Sequence, residues 1–391
     1  PDAALVRLER IAAAIGPDRA LADALASDPP AARRLGHLVS ASSFATDLLV
    51  AAPARIRALE DGAEPADVQA AMASVVARYA SRELQPKETG LAIAAVADRV
   101  VTGACAAAGA GLPFAAIGLG KLGAQELNFA SDLDLLFVYE GEGPDVFRRG
   151  VEVAERVIAG IRSAGWEPDA DLRPEGRSGP LAKSFAAYLE YWERYAETWE
   201  FQSLTRARFV AGDEALGRRF CSMAEDFAYP DYLPVERAVE IRRMRERIER
   251  ERVKPPEAGR FHFKLGYGSL ADVQFAVELS LMRAGGARPE IRTRRTLDAI
   301  ERLAEARLIE GGAAVALGEA FVFLSDVKNA LEVDRRVHAE SIPPAPEEQL
   351  ALARRLGFEE YPRQTFLEEY RRITRRARRA MERVFYEHEE G

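Results

Sequence analysis

The stretch Pro113–Tyr139, PFAAIGLGKLGAQELNFASDLDLLFVY, decides how the rest of the 391-residue chain is read. It opens on an apolar run, Phe114 to Ile117, of a length that suits a buried strand. Three glycines follow, Gly118, Gly120 and Gly123, set around Lys121. Glycine admits positive φ and lets a ligand approach backbone N–H groups closely. Nine residues past Gly123 the chain presents Asp132, Leu133 and Asp134, then a second apolar run, Leu135 to Val138. Side chains alternate along a strand, so the two aspartates point one way while Leu133 and Leu135 point into a core. Neighbouring carboxylates raise one another's pKa unless a cation lies between them. Hard dications such as Mg²⁺ take oxygen ligands from one or two carboxylates and from a substrate's phosphates. A phosphate-cradling loop leading to a two-metal carboxylate pair predicts phosphoryl or nucleotidyl transfer.

Other readings of the same residues fit less well. Gly118, Gly120 and Gly123 satisfy G-x-G-x-x-G, with Glu140 near the place of a ribose-binding acid. That fingerprint needs a helix and a full βαβ unit, yet only about ten residues separate Lys121 from the second strand. It also leaves Asp132 and Asp134 without a role. A P-loop needs Ser or Thr after Gly-Lys, and Leu122 stands there. A surface turn with two solvated aspartates is at odds with the apolar strands on both sides.

The segment GLGKLGAQELNFASDLDL resembles the signature of the bifunctional glutamine synthetase adenylyltransferase/adenylyl-removing enzymes, members of the DNA polymerase β-like nucleotidyltransferases. The resemblance extends to DADLRPEGRSGPL (169–181), TWEFQSLTRARFVAGD (198–213), KLGYGSLADVQFAVEL (264–279) and YRRITRRARRAMERVFY (370–386), and so covers most of the chain after about residue 85. It implies an α+β chain with a polymerase β-like nucleotidyltransferase domain, a small mixed sheet with helices, over 86–229; the helical pattern of the residues themselves adds a lead-in over 1–85 and a helical bundle over 230–391. It implies Mg²⁺ and ATP, with ADP and orthophosphate in the reverse direction. Glutamine synthetase would be the protein substrate, and a PII signal protein is left open as a second partner.

The resemblance also assigns residues. It selects Asp169, five residues before Pro174 of the LRP motif, as the third metal ligand beside Asp132 and Asp134. Asp171 falls where some relatives place arginine, and reads as a surface residue or a weak alternative ligand. Backbone N–H groups near Gly118 and Gly120, with Ser131 and Lys121, would hold the β- and γ-phosphates. Arg206 and Arg208 would reach the triphosphate, because arginine forks match phosphate, or else stand as solvated surface arginines. Lys264 and Asp272 belong to a motif of the family that faces the cleft, and a structural salt bridge is the equally simple reading of both. Family members carry two similar catalytic halves. The ending YRRITRRARRAMERVFY is similar to the family's carboxyl terminus and favours the transferase half; ELNFASDLDL is more similar to the removing half's motif. The transferase is the leading expectation, the phosphorolytic half the alternative, and a noncatalytic nucleotide-binding module the third reading.

Composition sets outer bounds. Apolar residues make up 48% and charged residues 30%, ordinary for a globular protein of two or three domains. No apolar run looks long enough to span a membrane and no signal pattern opens the chain. Beginning at Pro1 suggests a piece of a longer protein. Cys105 and Cys221, the only two cysteines, suggest a reducing cytoplasm. A net charge of -8 argues against general nucleic-acid binding. His37, His262, His338 and His388 form no His-Asp pair, which argues against the phosphohydrolase domain of the related uridylyltransferases.

The remaining pattern is helical. Ala3 to Ile15 has apolar residues at helical spacing with Gly16-Pro17 as a stop, and Val146 to Ser163 reads as an amphipathic helix closed by Gly165. Trp166 to Pro174 is predicted as a third strand. Tyr188, Trp192, Tyr195 and Trp199 fall on one helical face and read as packed core. Pro234 to Val253, ending before Pro255-Pro256, reads as a solvent-exposed helix. Ser269 caps the next helix. Further helices are predicted near 290–309, 313–336, 346–356 and 363–386. The arginines from Arg371 to Arg379 read as a solvated face, or else as a docking surface for acidic groups.

Overall fold

Five short strands build the sheet: β1 (Phe114–Gly118), β2 (Leu133–Tyr139), β3 (Pro168–Asp169), β4 (Ala182–Ser184) and β5 (Arg208–Gly212). The computed structural model describes residues 2–16, 19–253 and 261–386; Pro1, Pro17, Pro255, Pro256 and His388 lie outside them. β1 lies between β2 and β5 and runs antiparallel to both. β3 and β4 pair parallel with the other side of β2, β3 at its start and β4 at its end. The fold is therefore mixed α+β, as expected. Every residue of β1 is buried, and so are Leu135–Tyr139 of β2. Strands covered on both faces read as continuous apolar runs, which is why the two runs were visible in the sequence.

Helices Pro144–Ser163 and Glu214–Ala228 pack on this sheet. The first buries Val153, Ala154, Val157 and Ile161, a stripe at helical spacing, and turns away at Gly165 with φ +81°. The second is capped by Asp213, whose carboxylate accepts the Leu216 N–H at 2.9 Å. The predicted third strand shrinks to the two residues of β3. Beyond it the chain turns at once, with the Arg173 N–H donating to Ala170 C=O and the Gly176 N–H to Arg173 C=O.

Three other expectations change. The aromatic stripe holds only for Tyr188 and Trp192, which pack on Phe220 with ring centroids 4.9 and 5.3 Å away. Their helix ends at Arg194, so Tyr195 is 66% exposed and Trp199 starts a separate helix, Thr198–Leu204. The helix Val235–Arg252 is not solvated all round, because Arg242 and Arg245 are buried. Finally, helix Pro86–Ala108 is long and apolar enough to cross a membrane, contrary to the sequence reading; half of its apolar window is buried inside the protein, as in a core helix.

The chain divides into two compact units. One comprises Pro1–Arg99, Leu127–Ser131 and Lys328–Ala339 and is helical. Its late segments are tied in by buried polar bonds. Ser42 Oγ donates to Val333 C=O at 2.7 Å, and Asn128 Nδ2 donates to Asn329 Oδ1 at 2.8 Å. The Glu332 carboxylate pairs with Lys328 at 2.6 Å and accepts the Ala130 and Ala339 N–H groups.

The other unit comprises Val100–Glu126, Asp132–Val327 and Glu340–Gly391 and holds the sheet. Its later part contains helices Leu270–Ala284, Thr296–Glu305, Pro346–Arg355 and Pro362–Tyr386. Ser269 caps the first of these by accepting the Asp272 N–H at 3.3 Å. Some arginines of the last helix dock within the chain, while Arg371, Arg375 and Arg379 stay exposed: Arg376 pairs with Glu319 at 2.6 Å, and Arg378 with Glu249 at 3.0 Å and Asp272 at 3.2 Å. Asp272, fully buried, also meets Arg245 at 2.5 Å. Lys264 pairs with Glu340 at 2.5 Å. Both motif residues thus take the structural salt-bridge role.

Candidate active site

The register of the sheet assembles the carboxylates. β2 and β3 pair so that Asp134 and Asp169 are direct partners, on the same face of the sheet. Asp132 immediately precedes β2. Burial, then the charges of Asp169 and Asp132, push the Asp134 carboxyl up to about 6, against the pull of Lys121 and Arg206. The five groups therefore share one electrostatic neighbourhood. Among the described residues, no three acidic, histidine or cysteine side chains converge tightly enough to form a metal-binding cluster. Asp169 also accepts the Asp171 N–H at 2.7 Å, while Asp171 turns to Arg177 at 2.7 Å, the surface role expected for it.

The glycine segment is a turn rather than an open loop. Gly118 is inside β1, where a Cβ would sit 3.0 Å from the Leu122 and Val210 side chains. Leu119 continues the pairing by donating its N–H to Asp134 C=O at 2.9 Å. Gly120, at φ +49°, opens a one-turn helix, Gly120–Ala124, and a Cβ there would strike the Asp134 carboxylate. Glycine at this position is what lets the turn lie against the aspartate. Gln125, at φ 57°, closes the turn, and the Glu126 N–H returns to Lys121 C=O at 2.9 Å.

Other predicted binders are placed differently. Arg206 is buried and fully engaged: Nε donates to Glu278 at 2.6 Å, Nη1 to Glu126 at 3.2 Å and Nη2 to Thr296 Oγ1 at 3.1 Å. Arg208 donates from Nε to Gly123 C=O at 3.2 Å and from Nη2 to Leu122 C=O at 3.0 Å. Both arginines thus donate to carboxylates, a hydroxyl and carbonyls of the protein itself. Ser131 lies in the helical unit, where its hydroxyl accepts the Asn128 N–H at 2.9 Å. Glu126, Glu278 and Thr296 were missed by the sequence reading, because partners so far apart in the chain leave no local pattern. A cavity of about 780 Å³, lined among others by Thr198, Trp199, Arg243 and Arg247, contains none of the aspartates.

Residues 86–223 match the family model for glutamate-ammonia ligase adenylyltransferase, and residues 240–385 match that for GlnD PII-uridylyltransferase, both nucleotidyltransferase classes by name. Over 99% of its length the chain is 34% identical to the bifunctional glutamine synthetase adenylyltransferase/adenylyl-removing enzyme of Streptomyces coelicolor, covering 45% of that protein. It is also 34% identical to the enzyme of the same name from Mycobacterium leprae, over 98% of this chain and 43% of that protein. The chain is similar to these bifunctional enzymes over nearly its whole length and spans less than half of theirs.

Proposed function

We propose that the chain is one catalytic half of such an enzyme and transfers AMP from ATP to a tyrosine of glutamine synthetase. The observation that carries this reading is the in-register pairing of Asp134 with Asp169, beside Asp132 and against the turn at Gly120. The oxygen-only donor set and its mutual repulsion fit a hard dication, so Asp132, Asp134 and Asp169 are the residues that would hold Mg²⁺. When bound, such an ion neutralises triphosphate charge and acidifies an incoming hydroxyl. In the reaction the tyrosine oxygen bonds to the α-phosphorus, its proton is lost, and the bond to pyrophosphate breaks. Lys121 supplies positive charge to the polyphosphate, and Gly120 keeps its approach to Asp134 open. Gly118, Arg206 and Arg208 support this turn from within the fold.

A second reading is favoured by the ELNFASDLDL segment: phosphorolysis of adenylylated glutamine synthetase, in which orthophosphate bonds to the phosphorus of the tyrosine-linked AMP, the bond to the tyrosine oxygen breaks, the tyrosine takes up a proton, and ADP is the product. Both directions use the same three aspartates. The reading implies a polymerase β-like catalytic domain over 86–229 and a helical bundle over 230–391, supported by the two family matches falling on either side of residue 230. It implies a cytoplasmic protein and a PII signal protein as second partner. The test is to incubate the chain with α-labelled ATP, Mg²⁺ and glutamine synthetase, and in parallel with adenylylated synthetase and orthophosphate. Label on the synthetase supports the transferase and released ADP the removing half. Nucleotide binding without either reaction would favour a noncatalytic module.

A further inference from the structure

The turn between β1 and β2 is held by groups that come from far along the chain. Glu126, which ends the turn, accepts at Oε1 the Thr296 N–H at 2.5 Å and at Oε2 the Thr296 hydroxyl at 2.8 Å. Arg206 bridges Glu126 to Glu278, and Gln202 Nε2 donates to the second Glu278 oxygen at 2.7 Å. Arg295 Nη2 donates to the side chain of Gln125, the left-handed residue that closes the turn, at Oε1 and 3.0 Å. A Cβ on Gly123 would meet Arg206 C=O, so the backbone before β5 also lies directly against the turn. The side chains of Arg206, Glu126 and Glu278 are 7%, 12% and 13% exposed.

A buried assembly of one cation and two carboxylates is costly to desolvate and adds little net stability compared with apolar packing. Its geometric effect is definite: it fixes where the turn can lie. Glu278 and Thr296 belong to helices Leu270–Ala284 and Thr296–Glu305, neither of which contributes an aspartate to the site. We propose that Glu126, Arg206, Glu278 and Thr296 form a positioning clamp through which these later helices order the Gly120–Ala124 turn and set its grip on nucleotide. None of the four touches the reacting atoms. The part concerning nucleotide rests on the function proposed above; the part concerning order does not.

The test is Glu278→Gln in the full chain. It leaves Arg206 balanced by Glu126, so no buried cation is stranded, whereas removing Arg206 would leave two buried carboxylates unpaired. The first readout is amide exchange at Gly123, Gln125 and Glu126, whose N–H groups donate to Leu119, Leu122 and Lys121 carbonyls. The clamp predicts exchange at these amides faster by roughly tenfold, with the N–H groups of β2 unchanged. A core variant matched in melting temperature, Phe366→Leu, should not reproduce that pattern. The second readout is ATP affinity, expected to weaken roughly tenfold with little change in the maximal rate. Unchanged exchange in a folded Glu278→Gln protein overturns the clamp. Faster exchange in a chain whose unaltered form binds no ATP leaves the clamp standing and sinks the nucleotidyltransferase reading instead.

Discussion

Asp134 and Asp169 are register partners on the parallel strands β2 and β3, and the charge of the second is the largest electrostatic contribution raising the carboxyl of the first. A two-residue strand is enough for this. β3 contributes little to the sheet, but it places one carboxylate beside another on the same face. Such a pair is unfavourable for the protein alone and favourable with a cation between them.

Burial of Asp134, and after it that repulsion, has a pH signature. The Asp134 carboxyl titrates at about 6 in the folded chain, above its ordinary value, so its contribution to stability is fully present below about pH 4 and lost as pH rises through about 6. A hundredfold rise in proton affinity corresponds to roughly 2–3 kcal/mol, which is the cost of holding the group ionised at pH 8. Asp134→Asn should therefore stabilise the metal-free chain by on the order of 2 kcal/mol at pH 8, and hardly at all at pH 4. Urea denaturation at the two pH values checks this. Equal gains at both, or a loss at pH 8, would contradict it.

Gly120→Ala is expected to leave the fold intact and to disable the site. Its Cβ has no room beside the Asp134 carboxylate, and the φ of +49° adds strain of about 1 kcal/mol. Circular dichroism should stay near that of the unaltered chain, while Mg²⁺-dependent nucleotide affinity, read by calorimetry, drops roughly tenfold or more.

Asp272 and Lys264 should separate sharply in stability. Asp272→Ala takes the buried partner at 2.5 Å from Arg245, leaving it Glu249 at 3.5 Å, and removes one of the carboxylates around Arg378; a loss of about 3 kcal/mol is expected. Lys264→Ala removes only a half-exposed pair with Glu340 and should cost less than about 1 kcal/mol. Denaturant titration of the two variants side by side measures the difference.

The sequence showed most clearly what local pattern encodes. The runs Phe114–Ile117 and Leu135–Val138 are continuous because both strands are covered on two faces, and Asp132 and Asp134 stand out by interrupting that apolar context. The Ser269 cap and the stripe of Pro144–Ser163 were visible for the same reason. What stayed hidden depends on distant partners. Nothing within VERAVEIRRMRERIERER separates the buried Arg245 from its exposed neighbours, since burial follows from Asp272 on another helix. The two carboxylate partners of Arg206 lie far away in the chain on either side and left no local signal. The sequence reading also passed over helix Pro86–Ala108, which is long and apolar enough to cross a membrane by length and composition.

Nucleotidyl transfer at three aspartates stands or falls on one comparison. The chain and its Asp132→Asn, Asp134→Asn and Asp169→Asn variants would each be assayed for label transfer from α-labelled ATP to glutamine synthetase and for phosphorolytic ADP release. If the three carboxylates carry the chemistry, the unaltered chain shows one of these activities and each folded variant loses it by roughly a thousandfold or more. A folded Asp134→Asn or Asp169→Asn protein with near-normal turnover would contradict that assignment.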